Sequence, residues 1–153
     1  MKLAVSFLLV FLSIILAFLK TSDLRYNVKN SLLLLKLSEK IKNNIGGEMR
    51  SLLTLSEDFF NENSPSALAL TSTDDLINYL NTEFSALPYI SEYVSELSKI
   101  PVLSSDELYG CSKKLIDIAE KGQAETELRY KKDIKNAYIL FPGIISVFIL
   151  ILI

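Results

Sequence analysis

An all-α fold is what this sequence predicts, and three observations carry it. Apolar residues recur at three- and four-residue steps, no stretch alternates apolar and polar with period two, and helix start signals precede the periodic runs. The ends differ from the middle. Residues 3–19 ("LAVSFLLVFLSIILAFL") and 137–153 ("AYILFPGIISVFILILI") carry no charged side chain. Seventeen helical residues span roughly 26 Å, near the hydrocarbon thickness of about 30 Å. The expected architecture is a membrane protein: N- and C-terminal transmembrane helices, 3–19 and 137–153, flanking a small cytoplasmic helical bundle at 20–136.

For the first stretch the alternative is a cleaved signal peptide with Lys2 as its basic leader. Phe18, Leu19 and Lys20 stand where small residues would mark cleavage. For the last stretch the alternative is a buried core helix, which the lack of a polar face disfavours. Tyr138 lies where an aromatic ring suits a membrane interface, and Pro142 and Gly143 follow one turn inside, a position membranes tolerate better than water does.

Inside the domain, Leu24, Val28, Leu32 and Leu35, then Leu37, Ile41 and Ile45, outline a first helix that ends at the glycine pair of "NNIGG". A second helix is expected at 48–61 with Met49, Leu52, Leu53, Leu55 and Phe59 inward, broken by "NENSPSA". A third begins with Ser72 or Thr73 as N-cap and Asp74 and Asp75 in its first turn, where acids favour the helix dipole. Pro88 is expected to open the fourth and Pro101 to follow its end. Ser104 and Glu107 form a capping-box pattern opening a long last helix, with Leu108, Cys111, Leu115, Ile118 and Ala119 as an apolar stripe. From Glu120 to Lys135 more than half the residues are charged, as expected of a solvated stalk; a dedicated binding surface is the alternative reading.

Charge is unevenly placed. Segment 20–50 has seven basic and three acidic residues, 51–110 has one and ten, and 111–136 has seven and five. Lys20, Arg25 and Lys29 follow the first apolar stretch, and Arg129, Lys131, Lys132 and Lys135 precede the last. Basic residues beside a span stay cytoplasmic, so these seven set the expected topology, with both termini outside. The acidic middle suits docking to a partner of opposite charge, with Asp74, Asp75, Glu92 and Glu96 as candidates, and Glu39 of the preceding segment beside them.

The chain has no histidine and one cysteine, which removes the commonest general base and metal ligand and precludes an internal disulfide. Cys111 sits at core spacing, and no histidine could activate it. "IGGEM" lacks the rest of a phosphate loop, and a pI near 5.2 without interleaved aromatics argues against nucleic acid. No catalytic residue, metal site or cofactor is expected, and the chain reads as a docking element and not an enzyme.

The arrangement resembles the stage III sporulation protein AB family. The likeness rests on "NVKNSLLLLKLSEKI", on the "LSSDELYG" turn at 103–110 and on the tail with Tyr138 and Gly143. It departs at "LSEKI", where Ser38 and Lys40 replace acids usual in the family and Glu39 supplies one instead, and at "GGEMRSLL", which replaces a Pro-Leu turn. The resemblance implies a domain similar to those of type II secretion and type IV pilus platform proteins, docking a secretion-type ATPase. It further implies assembly with other membrane subunits, or with copies of itself, in a channel between mother cell and forespore. Its place would then be the outer forespore membrane, with the domain in the mother-cell cytoplasm. A membrane-anchored scaffold recruiting other cell-envelope proteins is the rival reading.

Overall fold

The computed structural model describes residues 2–45, 51–63, 68–102 and 105–152; the side chains of 2–7, 102, 105, 106, 138, 140–142, 144, 146 and 148–152 fall outside the description. Among the described residues the regular structure is entirely helical. It comprises α1 (Lys2–Ile45), α2 (Leu52–Asn63), α3 (Thr73–Glu83), α4 (Ile90–Leu97), a 3-10 turn (Ile100–Val102) and α5 (Ser105–Leu152). The chain divides into two compact units, residues 29–125 and residues 1–28 with 126–153.

In the unit 29–125, α1 buries Ser31, Leu34, Leu37, Ser38 and Ile41, a repeat of three and four residues. Leu32 is exposed, contrary to expectation: in a run of four leucines any register looks apolar, and the serines sit on the packed side. Leu34 and Leu37 are wholly buried, and truncating either to alanine would cost about 2–5 kcal/mol.

The second helix starts later than expected because Ser51 caps it, its Oγ accepting the Thr54 N–H at 3.2 Å. It buries Leu55, Ser56, Phe59 and Phe60. Phe60 meets the edges of Phe59 at 5.4 Å and Tyr79 at 5.0 Å, an aromatic knot that Phe84 completes. Met49, the glycine pair at 46–47, the break at 64–67 and the Ser104 cap lie outside the described residues.

Ser72 is the N-cap of α3, as one of the two expected residues. Its hydroxyl accepts the Asp75 N–H while Asp75 accepts the Ser72 N–H, a reciprocal capping box. Asn30 of α1 donates Nδ2 to the Glu83 carbonyl at 3.3 Å, covering an orphan acceptor at the end of α3. The expected start of α4 at Pro88 is corrected. Pro88 lies in the connecting turns, where Leu87 N–H bonds to Phe84 O and Ile90 N–H to Leu87 O, and α4 begins at Ile90. Pro101 lies inside the 3-10 turn, three residues beyond the Ser98 C-cap.

Tyr93 on α4 anchors the middle of the bundle. Its ring is fully buried, and its hydroxyl lies 3.0 Å from Ser38 Oγ and 3.3 Å from the Leu34 carbonyl of α1. Ser38 Oγ itself donates to Leu34 O at 2.8 Å, so three groups close one buried network.

Among the described residues no helix is long and apolar enough to cross a membrane. The expected spans at 3–19 and 137–153 include residues whose side chains fall outside the description.

Candidate functional site

The most organised polar constellation in the unit 29–125 centres on Glu96. This residue shares the inner side of α4 with Tyr93 and Leu97, and its side chain is 9% exposed. A carboxylate so placed needs donors. Lys99 Nζ, one turn on, donates to Glu96 Oε2 at 2.7 Å, and Lys114 Nζ from α5 donates to the same oxygen at 2.8 Å. Cys111 Sγ adds weak bonds to the Glu96 carbonyl at 3.4 Å and to Oε1 at 3.5 Å. Burial pushes the Glu96 carboxyl up, but the bonds from Lys114, Lys99 and Cys111 outweigh it and bring it down to about 2. Lys114 is in turn held above its ordinary value by its bond to Glu96, the charge of Glu96 and, after the opposing effect of burial, that of Glu92. Chemically this is a clamp of α4 on α5, with its anion already neutralised.

The other expected docking acids divide by environment. Asp75 is spent on the cap, and the side-chain bonds from Thr71 and then Ser72 lower its carboxyl below the usual range. Asp74 beside it, Glu39 on α1 and Glu92 on α4 are exposed. Glu92 and Glu96 lie one turn apart on one helix, yet only Glu92 faces solvent. The acids available to a partner are therefore Glu39, Asp74 and Glu92, on three different helices.

Glu92 stands on the rim of a cleft of about 370 Å³ between the turn before α4 and the α5 segment 114–125. Tyr89 lines it together with Lys114, Asp117, Lys121 and Glu125, which bring both signs of charge. The Tyr89 ring lies so close to Gly122 that a Cβ there would sit 2.3 Å from two ring carbons. Its hydroxyl is buried without a hydrogen-bond partner, and burial raises its pKa well above the ordinary value. This site was not read from the sequence. The available signal was the lone glycine in a charged helical run, which marks a close approach. Gly122 and Thr126 are both buried, so the stretch expected to be a solvated stalk packs on one side.

A second cleft, about 350 Å³ and more apolar, lies among Ile41, Leu52, Leu55, Ile100 and Leu108. Cys111 occupies the core as expected, 7% exposed. Among the described residues no group of three or more His, Cys, Asp or Glu could hold a metal ion.

The unit formed by 1–28 and 126–153 is built differently. Its described buried residues are small or hydroxylic: Ser13, Ala17 and Thr21, four apart on one stripe of α1, with Thr126 and Ala137 of α5. Ser13 Oγ donates to Val10 O at 2.7 Å and Thr21 Oγ1 to Phe18 O at 2.9 Å, which satisfies both hydroxyls within the helix. Leu8, Phe11, Ile14, Phe18 and Leu19 are 57–67% exposed. A water-soluble helix pair does the reverse, hiding its large apolar side chains and showing the small polar ones. Arg25 Nε donates to Tyr130 Oη at 3.3 Å, tying the polar ends of the two segments together. The seven topology residues, Lys20, Arg25, Lys29, Arg129, Lys131, Lys132 and Lys135, are all exposed.

Comparison with family models, curated proteins and solved structures found no match to this chain.

Proposed function

We propose that the chain is a noncatalytic platform held in a membrane by two apolar arms, 3–19 and 137–153, which presents the bundle 29–125 to a partner on the cytoplasmic side. The carrying observation is the inverted burial among the described side chains of the arms: Ser13, Ala17 and Ala137 are packed, while Phe11, Ile14, Phe18 and Ile139 lie outside. Lipid removes the driving force for burying leucine and rewards close packing of small residues, so this pattern suits hydrocarbon and not water. The exposed basic residues next to both arms support a cytoplasmic bundle.

The partner is read as a secretion-type ATPase in a sporulation channel, on the resemblance to the stage III sporulation protein AB family. Exposed Glu39, Asp74 and Glu92 are the acids offered to it; Glu96 and Asp75 serve the bundle itself. The test is carbonate extraction of membranes from cells expressing the full chain, followed by low-salt capture of such an ATPase from the reconstituted protein. Retention in the membrane pellet with an intact N-terminus, and capture weakened several-fold in E39K/D74K/E92K, are the expected results. Release by carbonate ends the membrane reading, and capture indifferent to the triple variant ends the docking one.

A further inference from the structure

We propose that basic side chains from both arms form one collar that binds the phosphates of anionic phospholipids; the inference rests on the membrane reading above. Its register comes from the Arg25–Tyr130 bond. Lys20 lies five residues before Arg25 and Lys135 five residues after Tyr130, about 7.5 Å along each helix axis. Ala17 and Ala137, eight before and seven after the same bond, are both buried, as side-by-side antiparallel segments with this register require. The two lysines therefore stand at one level, and at that level both uncharged stretches begin. Arg25 and Lys132 lie within about two turns behind it.

The chemistry favours phosphate. Within 20–29 and 126–136 there are seven basic and three acidic residues, and the basic ones are exposed. Lys131 lies 4.0 Å from Glu127, and the Lys131 side chain is 74% exposed. The Arg25 bond to Tyr130 uses Nε, which orients the guanidinium while its two Nη groups keep donors for a phosphate fork. Beyond the collar the exposed Leu19, Phe18, Leu16 and Ile15 would run beside acyl chains, so one lipid molecule meets cations at its head and apolar side chains along its tails. A soluble anion would use the cations alone. The occupant is therefore a lipid.

The experiment uses the full chain, purified in a nonionic detergent and titrated with phosphatidylglycerol or phosphatidylcholine, with bound lipid counted by native mass spectrometry. Phosphatidylglycerol retention at least tenfold above phosphatidylcholine, reduced about tenfold in K20Q/R25Q/K132Q/K135Q and unchanged in K36Q/K113Q, is the expected result. Circular dichroism checks that the quadruple variant stays helical, and R25K/K20R/K132R/K135R should retain the lipid. Equal retention of the two lipids, or displacement of phosphatidylglycerol by an equal concentration of inorganic phosphate, overturns the collar. A carbonate-resistant protein without lipid preference defeats the collar and leaves the membrane reading standing, whereas carbonate release defeats both.

Discussion

Glu96 on α4 and Lys114 on α5 meet at 2.8 Å, with Lys99 on the other side of the same carboxylate oxygen at 2.7 Å. The carboxylate is buried, while both lysine side chains remain more than half exposed. Glu96→Gln removes the charge and keeps the shape, and the lysines lose little because water still reaches them. A loss of about 1–2 kcal/mol in urea unfolding is expected. The pH dependence has a definite sign. The folded carboxyl sits at about 2 against an ordinary 4.5, so its contribution is complete above pH 4.5 and disappears as pH falls toward 2. Wild type should lose stability through that window, and E96Q should lose less; parallel acid profiles would show that the clamp contributes nothing.

Tyr93 joins α4 to α1 through Ser38 and the Leu34 carbonyl. Tyr93→Phe leaves Ser38 bonded to Leu34, and Ser38→Ala leaves the Tyr93 hydroxyl its longer bond to the same carbonyl. Each should cost about 0.5–1.5 kcal/mol. The double variant should cost less than the sum, since the first removal already breaks the shared bond. Strict additivity in a double-mutant cycle would show that the two hydroxyls act separately.

Gly122→Ala has opposing terms. Alanine favours a helix interior by about 1 kcal/mol over glycine, but its Cβ would fall 2.3–2.5 Å from three ring atoms of Tyr89. The ring must leave its place, so G122A should destabilise the wild type. In a Tyr89→Ala background the obstacle is gone, and the same change should stabilise by about 0.5–1 kcal/mol. Thermal midpoints of the four proteins test this reversal of sign.

Local signals in the sequence were legible where chemistry is local. The Ser72 start of α3 needs only a hydroxyl and an acid three residues on, and both bonds form. The apolar stripe of α5 through Leu115, Ile118 and Ala119 is buried, with Cys111 on it. What stayed hidden depends on partners distant in sequence. Glu96 reads as one more surface acid until Lys114, eighteen residues on, is brought against it. Pro88 looks like a helix start, but the turns that bond Leu87 to Phe84 and Ile90 to Leu87 postpone the helix by two residues. The leucine run 32–35 cannot declare its inward face, because four equal side chains fit every register; Ser31 and Ser38, packed against neighbours, settle it.

Cys111 supplies a chemical probe of the same α4–α5 junction. Burial, then the bond to Glu96 and the Glu96 charge, push its thiol up to about 11 from an ordinary 9.0. The thiolate is the reacting species, so at pH 8 its population in the folded protein is about a hundredfold below that of an unfolded chain, before access is considered. Maleimide labelling of the native protein at pH 8 should accordingly run at least a hundredfold slower than in concentrated urea. Glu96→Gln removes the nearby negative charge and loosens the contact, and labelling should quicken while the far-ultraviolet spectrum stays helical. Equal rates in native and denaturing solvent would mean that α4 does not stay closed over Cys111, and the clamp assigned to Glu96 and its two lysines would have no mechanical meaning.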